Sequence, residues 1–366
     1  MNFDEIDSKE LKKFTLYFVL SGLLLFGILN WMPDAFFAPF NQFTATTAGF
    51  FLSLLDSSAV IQGVIVSCKG FSVRIITECS AIFASTLFLS FVMAYPATIK
   101  QKAIGLFLGI PVLFLCNAFR IVLVTLAGAL KPALFDCIHV YIGQILMISV
   151  VFMACMVWLL YVLTVRLDDS ILGFFIRFIA LSSILFIFWL YLNRPYVRMG
   201  DYLIQLMFSL FNRQFTFNLG HTIYYHTFNL VTLGALILAS RSISRRFKVT
   251  GLIIGFAIVF LTHILFRLCN VFITGFNLPS AFKVSSAISI VSQYLLPVAI
   301  WLAVLYYDLL SQQKPERCPF CGAEKVGLVH HIRAKHGKEA MRKGSDTVTA
   351  FEGKKGKACW KAKGGK

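Results

Sequence analysis

Of the 366 residues, 58% are apolar and only 14% charged, and mean hydropathy is +0.77. A soluble domain of this size is nearer half apolar with roughly twice that charge density, so a soluble globular fold is excluded. The formal net charge of +17 is not a nucleic-acid signal, because it gathers in alternate loops and in the tail, where it reads as topology.

A bilayer core of about 30 Å asks for helical apolar runs of about 17 to 25 residues. About eight are expected in chain order, at 14–31, 79–94, 103–127, 139–165, 171–192, 227–239, 250–274 and 285–307. Residues 1–13 are mixed in charge and carry no small-residue cleavage site, so the first run reads as a retained span. Lys100, Lys102, Arg166, Arg241 and Lys248 fall in alternate loops, and from Ser311 onward fourteen Lys or Arg face five Asp or Glu. The positive-inside rule puts those loops, the N-terminus and the tail in the cytoplasm; Arg194, Arg198 and Arg213 run against this scheme. Nine cysteines are scattered, and only the tail pair is closely spaced, which is no disulfide framework.

Two apolar stretches, 43–55 and 203–211, are too short to cross and read as interfacial or re-entrant helices on the outer side. Each precedes a strand-like segment: 60–79, with Gly63 and Gly70 at turns, and 213–225. Registering the two halves at an offset of 147 places Phe119 and Arg120 on Phe266 and Arg267, Pro132 on Pro279 and Phe135 on Phe282. The expected fold class is therefore an all-α membrane protein of two tandem four-span halves with short extracytoplasmic segments. Its expected divisions are 1–168, 169–312, a small metal module at 313–340 and a basic disordered tail at 341–366.

An ionised residue inside hydrocarbon is a functional candidate. Arg120 stands 17 residues beyond Ala103, about 26 Å up a core of about 30 Å at about 1.5 Å per residue. Cys79 opens the next inward span and His139 the one after the outer loop, so all three share one depth. Thiol, imidazole and guanidinium are the parts of cysteine acyl transfer: a thiolate nucleophile, an acid/base, and a fixed cation for thiolate or oxyanion. Asn117, three residues before Arg120 and on the same helix face, is expected to bond substrate or orient the guanidinium. Taken singly, Cys79 reads equally as a packing residue, His139 as an interfacial cap and Arg120 as a snorkelling charge.

The stretch Thr77-Glu78-Cys79-Ser80-Ala81, then Asn117-Ala118-Phe119-Arg120 and His139 at a span start, resembles the ordered Cys, Arg and His motifs of the exosortase/archaeosortase family. The resemblance implies a membrane cysteine transpeptidase. In it Cys79 is the nucleophile, and Arg120 and His139 complete the site. Its substrates are exported proteins with a C-terminal motif, hydrophobic helix and basic cluster. They would be cleaved at the outer face and passed to an acceptor, expected to be a lipid or glycolipid amine. The family usually has Gly two residues after its Cys; Ala81 here is expected to narrow the room for substrate backbone. At the repeat positions of Cys79, Arg120 and His139 stand His226, Arg267 and Ser286, so the second half is expected to lack thiol chemistry and to pack against the first or help hold substrate. Hydrolysis without an acceptor uses the same residues, and a non-enzymatic transporter or sensor remains the rival class.

In the tail, Cys318 and Cys321 followed by His331 and His336 have the spacing of a compact Cys2His2 zinc site, with His330 a rival ligand. The expected cofactor is one structural zinc ion, on the cytoplasmic side.

Overall fold

The computed structural model describes residues 8–132, 135, 138–139, 143, 146–163, 169–210, 212–213, 225–312, 316–318, 320–322 and 324–325. The chain divides into two compact units, Met1–Asp308 and Leu309–Lys366.

The first unit opens with α1 (Ser8–Trp31) and α2 (Asp34–Leu55), then a three-stranded antiparallel meander, β1 (Val60–Gln62), β2 (Ile65–Cys68) and β3 (Phe71–Arg74). Pairing of Gln62 with Ile65 and of Cys68 with Phe71 leaves two-residue loops. Gly63 (φ +60°) fills one, and Lys69 (φ +48°) with Gly70 (φ +81°) the other. Positive φ is what tight hairpins require of such positions. A 3₁₀ turn at Thr77–Cys79 leads into α3 (Ile82–Ala94), followed by α4 (Ile99–Leu130) and α5 (Met147–Leu163). Thr98 and Gln101 close a reciprocal capping box at the start of α4, satisfying two of its otherwise orphan N–H groups.

The second stretch carries α6 (Asp169–Ser209), α7 (Asn229–Ala239), α8 (Arg245–Gly275), α9 (Ser280–Ile290), a π turn at Val291–Leu295 and α10 (Leu296–Gln312). Helices α3 and α7 begin at Ile82 and Asn229, 147 residues apart, and each follows a one-turn 3₁₀ segment. Among the described residues, five helical stretches are long and apolar enough to cross a membrane: 10–31, 99–130, 172–209, 245–275 and 280–311. The expected spans at 79–94, 139–165 and 227–239 correspond among the described residues to apolar helices of 13, 17 and 11 residues. The protein is a multi-pass helical membrane protein.

Two sequence expectations change in the structure. The interfacial segment expected at 43–55 is part of a 22-residue helix that runs through Pro39. The span expected at 171–192 and residues 203–209 of the expected short segment belong to one 41-residue helix, Asp169–Ser209, that passes through Pro195. The polar step Asn193-Arg194 follows directly on the expected span. A change of polarity does not break backbone hydrogen bonding, and Asp201 beyond it is tied into the core by an ion pair.

The two stretches are not separate bodies. One buried apolar cluster takes Phe88, Leu113 and Trp158 from the first and Leu236, Trp301 and Leu305 from the second. Helix α1 packs on α3 and also on α9. Gly105 lets α4 approach α5 closely: a Cβ there would stand 2.3 Å from the Trp158 ring, whose Nε1 donates to the Gln101 carbonyl at 3.0 Å. Helix α7 is buried at nine of its positions, including Asn229 and Thr232, so it is a core helix rather than a lipid-facing one.

Candidate active site

Cys79 ends the 3₁₀ turn three residues ahead of α3, and its N–H donates to the Ile76 carbonyl at 2.9 Å. The N-terminus of α3 has no side-chain cap, so its free N–H groups and dipole favour negative charge on a nearby thiolate. The Cys79 carbonyl accepts from Asn117 Nδ2 at 2.9 Å, which pins the turn to α4. Asn117 itself is fully buried and does not line the cavity described below. At i−3 from Arg120 the amide nitrogen is thus used on the turn that carries Cys79.

Arg120 is 7% exposed. Its Nη1 donates to the Gly143 carbonyl at 3.4 Å, and its Nε is buried without a hydrogen-bond partner among the described residues. A desolvated guanidinium with an unused donor is expensive unless a ligand completes it. His139 is half-buried and stacks on Phe135, with centroids 5.3 Å apart and planes at 19°. Phe135 in turn contacts Phe71 of β3 at 5.0 Å, so the meander braces the imidazole.

A cavity of about 400 Å³ brings Cys79, Arg120 and His139 together, with Glu78, Phe83 and Gly143 beside them. That volume lies within the usual range for small-ligand sites, about 300 to 1,000 Å³. The expectation that the three residues share one depth becomes a common wall. Ala81 does not touch this cavity; it is 1% exposed with φ −74°, so its methyl packs inward and the narrowing expected there does not arise.

The facing wall comes from the second stretch. His226, Asn270, Ser285, Ser286, Ser289 and Gln293 line it, together with the rings of Phe266, Phe282 and Tyr294. His226, at the repeat position of Cys79, is held through Nδ1 by Ser289 Oγ at 3.0 Å and Gln293 Nε2 at 2.9 Å. Sequence reasoning named His226 and Ser286 only as repeat partners and missed Asn270, Ser289 and Gln293. Their signal was hydrogen-bonding side chains inside otherwise apolar runs.

Arg267, the repeat partner of Arg120, is committed elsewhere. Its Nε and Nη2 donate to the two Asp201 oxygens at 2.6 and 2.7 Å, a bidentate pair buried on both sides. The expected spans, which stop at 192 and resume at 227, left Asp201 outside them. It lies within α6, which continues past the polar step.

In the tail unit, β4 (Glu316–Arg317) pairs antiparallel with β5 (Glu324–Lys325). Between them Gly322 (φ +70°) donates its N–H to the Cys318 carbonyl at 2.8 Å. This tight turn presents Cys318 and Cys321 as a metal knuckle does. Among the described residues no group of three or more metal-ligating side chains occurs. His331, His336 and the rival His330 lie outside the described residues, as do residues 326–366 of the expected finger and tail.

Fold and cavity thus define a multi-pass helical membrane protein whose cavity gathers a thiol, an imidazole and a buried guanidinium. The family model described as "Transmembrane exosortase (Exosortase_EpsH)" matches residues 10–161, which hold Cys79, Arg120 and His139. Over that first membrane stretch the chain is similar to the exosortase family, and the match supports the general class of membrane transpeptidases. No curated protein and no solved structure matches the chain.

Proposed function

We propose that this protein is a cysteine transpeptidase that cleaves C-terminal sorting signals of exported proteins at the outer face of the membrane and passes the new C-terminus to a membrane acceptor. One observation carries the reading: Cys79, Arg120 and His139, far apart in sequence, line a single cavity. In it the Cys79 thiolate attacks the scissile carbonyl, and the Arg120 guanidinium stabilises the oxyanion. His139 takes the thiol proton and hands it to the departing amine. The thioester on Cys79 is then resolved by the acceptor. Asn117 fixes the backbone that carries the thiol.

The test is co-expression with exported proteins bearing a C-terminal motif, helix and basic cluster. Processing should disappear in Cys79→Ala and fall about 10²- to 10⁴-fold in His139→Ala. Unchanged processing in Cys79→Ala removes the enzyme.

The tail knuckle fits one half of a tetrahedral zinc site, with Cys318, Cys321, His331 and His336 as ligands. The ion would be structural there, holding a cytoplasmic module that is too small for a core of its own. The full-length protein should retain about one equivalent of zinc and lose it in Cys318→Ser; equal zinc in both overturns the site.

A further inference from the structure

The two walls of the catalytic cavity differ in chemistry. Its ionised side chains, Glu78 and Arg120, and its thiol come from the first stretch. Among the described residues the second stretch gives no charged side chain, only neutral hydrogen-bonding groups interleaved with rings. Once an acyl group is bound to Cys79 and its oxygen lies toward Arg120, the first wall is occupied. The incoming nucleophile must then be held by the second.

Resting on the transpeptidase reading above, we propose that the second membrane half is the acceptor subsite and holds an uncharged, polyhydroxylated headgroup of the sugar or glycerol type. Asn270, Ser286, Ser289 and Gln293 supply amide and hydroxyl partners of the kind that pair with such hydroxyls. Phe266, Phe282 and Tyr294 give apolar faces for the carbon skeleton of a ring. A phosphate would call for Lys or Arg on this wall and an ammonium for a carboxylate, and among the described residues the wall has neither. His226, gripped at Nδ1 by Ser289 and Gln293, holds the two partners in register.

The transfer step is balanced without a co-reactant. An acceptor hydroxyl oxygen attacks the thioester carbonyl, and its proton passes to His139. The new C–O bond forms and the C–S bond breaks, after which the Cys79 thiolate recovers the proton from His139. The product is an ester of the new C-terminus.

The experiment uses full-length protein in phosphatidylcholine vesicles with a tagged substrate, reading the new C-terminus by mass spectrometry. With a neutral glycosyl diacylglycerol added, a hydroxylamine-labile ester adduct is expected; with phosphatidylcholine alone, only the free acid. Asn270→Ala and Ser289→Ala should each lower the ratio of adduct to total cleavage about tenfold, the effect of losing one hydrogen bond. Three results overturn the proposal: an amide adduct when phosphatidylethanolamine is the added lipid, an unmoved ratio, or adduct and cleavage falling in proportion. The last would put the sorting peptide on this wall. If cleavage proves independent of Cys79, the transpeptidase reading fails separately. Binding of a short-chain alkyl glucoside to the Cys79→Ala protein then decides the subsite. Asn270→Ala should weaken it about tenfold, and equal binding overturns it.

Discussion

Arg120 and Arg267 occupy matching places in the two membrane stretches, and the protein uses them in opposite ways. Arg267 is held by the bidentate pair with Asp201, whereas among the described residues Arg120 Nε has no hydrogen-bond partner beside a cavity that also holds Cys79 and His139. The same guanidinium is thus an ion-pair partner in one stretch and, on the proposed function, an oxyanion binder in the other. What separates them among the described residues is the partner: a carboxylate from α6 in the second, and a carbonyl of Gly143 in the first. A buried charge fully paired by the protein stabilises geometry; one left short of partners is kept for chemistry.

The sharpest way to break this comparison is to move the thiol. In a Cys79→Ala background, His226→Cys puts sulfur at the matching position of the second stretch. Processing should stay absent, more than about a thousandfold below wild type, because Arg267 is committed to Asp201 and Ser286 replaces the imidazole. Recovered processing would mean that the second stretch is a competent site. Next, Arg120→Ala should cost about 10²- to 10³-fold in turnover with little change in thermal unfolding, since among the described residues no buried counter-charge is left behind. Asp201→Ala should do the reverse, destabilising the fold by about 3 to 5 kcal/mol through an orphaned Arg267. Replacing both members, Asp201→Leu with Arg267→Met, should restore most of the lost stability, read by unfolding in detergent.

Asn117→Ala removes the bond to the part-buried Cys79 carbonyl, at a cost of about 0.5 to 1.5 kcal/mol. Turnover should drop about tenfold with KM less affected, because the nucleophile rather than the substrate is misplaced. The smallest effect is expected outside the helices. Lys69 Nζ, 2.8 Å from Asp56, together with Ser58 holds the Asp56 carboxyl well below the usual carboxylate range. A carboxylate with a depressed folded-state value contributes above its unfolded value of about 3.9 and loses that contribution as pH falls below it. Limited proteolysis of the loop at 56–70 should therefore be flat from neutral pH to about pH 5 and rise only in stronger acid.

Much of this was legible in the sequence for a plain physical reason. Hydrocarbon penalises polar groups, so long apolar runs and the isolated Arg120 stand out against their surroundings. The hairpins were legible because Gly63 and Gly70 mark the positions where φ turns positive. Helix α2 and the continuation of α6 were not, because Pro39, Pro195 and the polar step at Asn193-Arg194 look like ends when helix geometry tolerates them. The cavity's second wall was the least visible part. Asn270, Ser289 and Gln293 are ordinary residues until packing of α1 against α9 and α3 turns their faces toward Cys79. The ion pair of Arg267 was hidden likewise, since Asp201 lies 66 residues away on a helix whose extent was misread.

The account stands on covalent chemistry at one sulfur. Full-length protein incubated briefly with a sorting-signal substrate, quenched in acid and mapped by mass spectrometry, should carry the substrate's acyl fragment as a hydroxylamine-sensitive thioester on the peptide containing Cys79, and none should form in Arg120→Ala at matched times. An acyl fragment on any other residue, or full processing with Cys79 unmodified throughout, would contradict it.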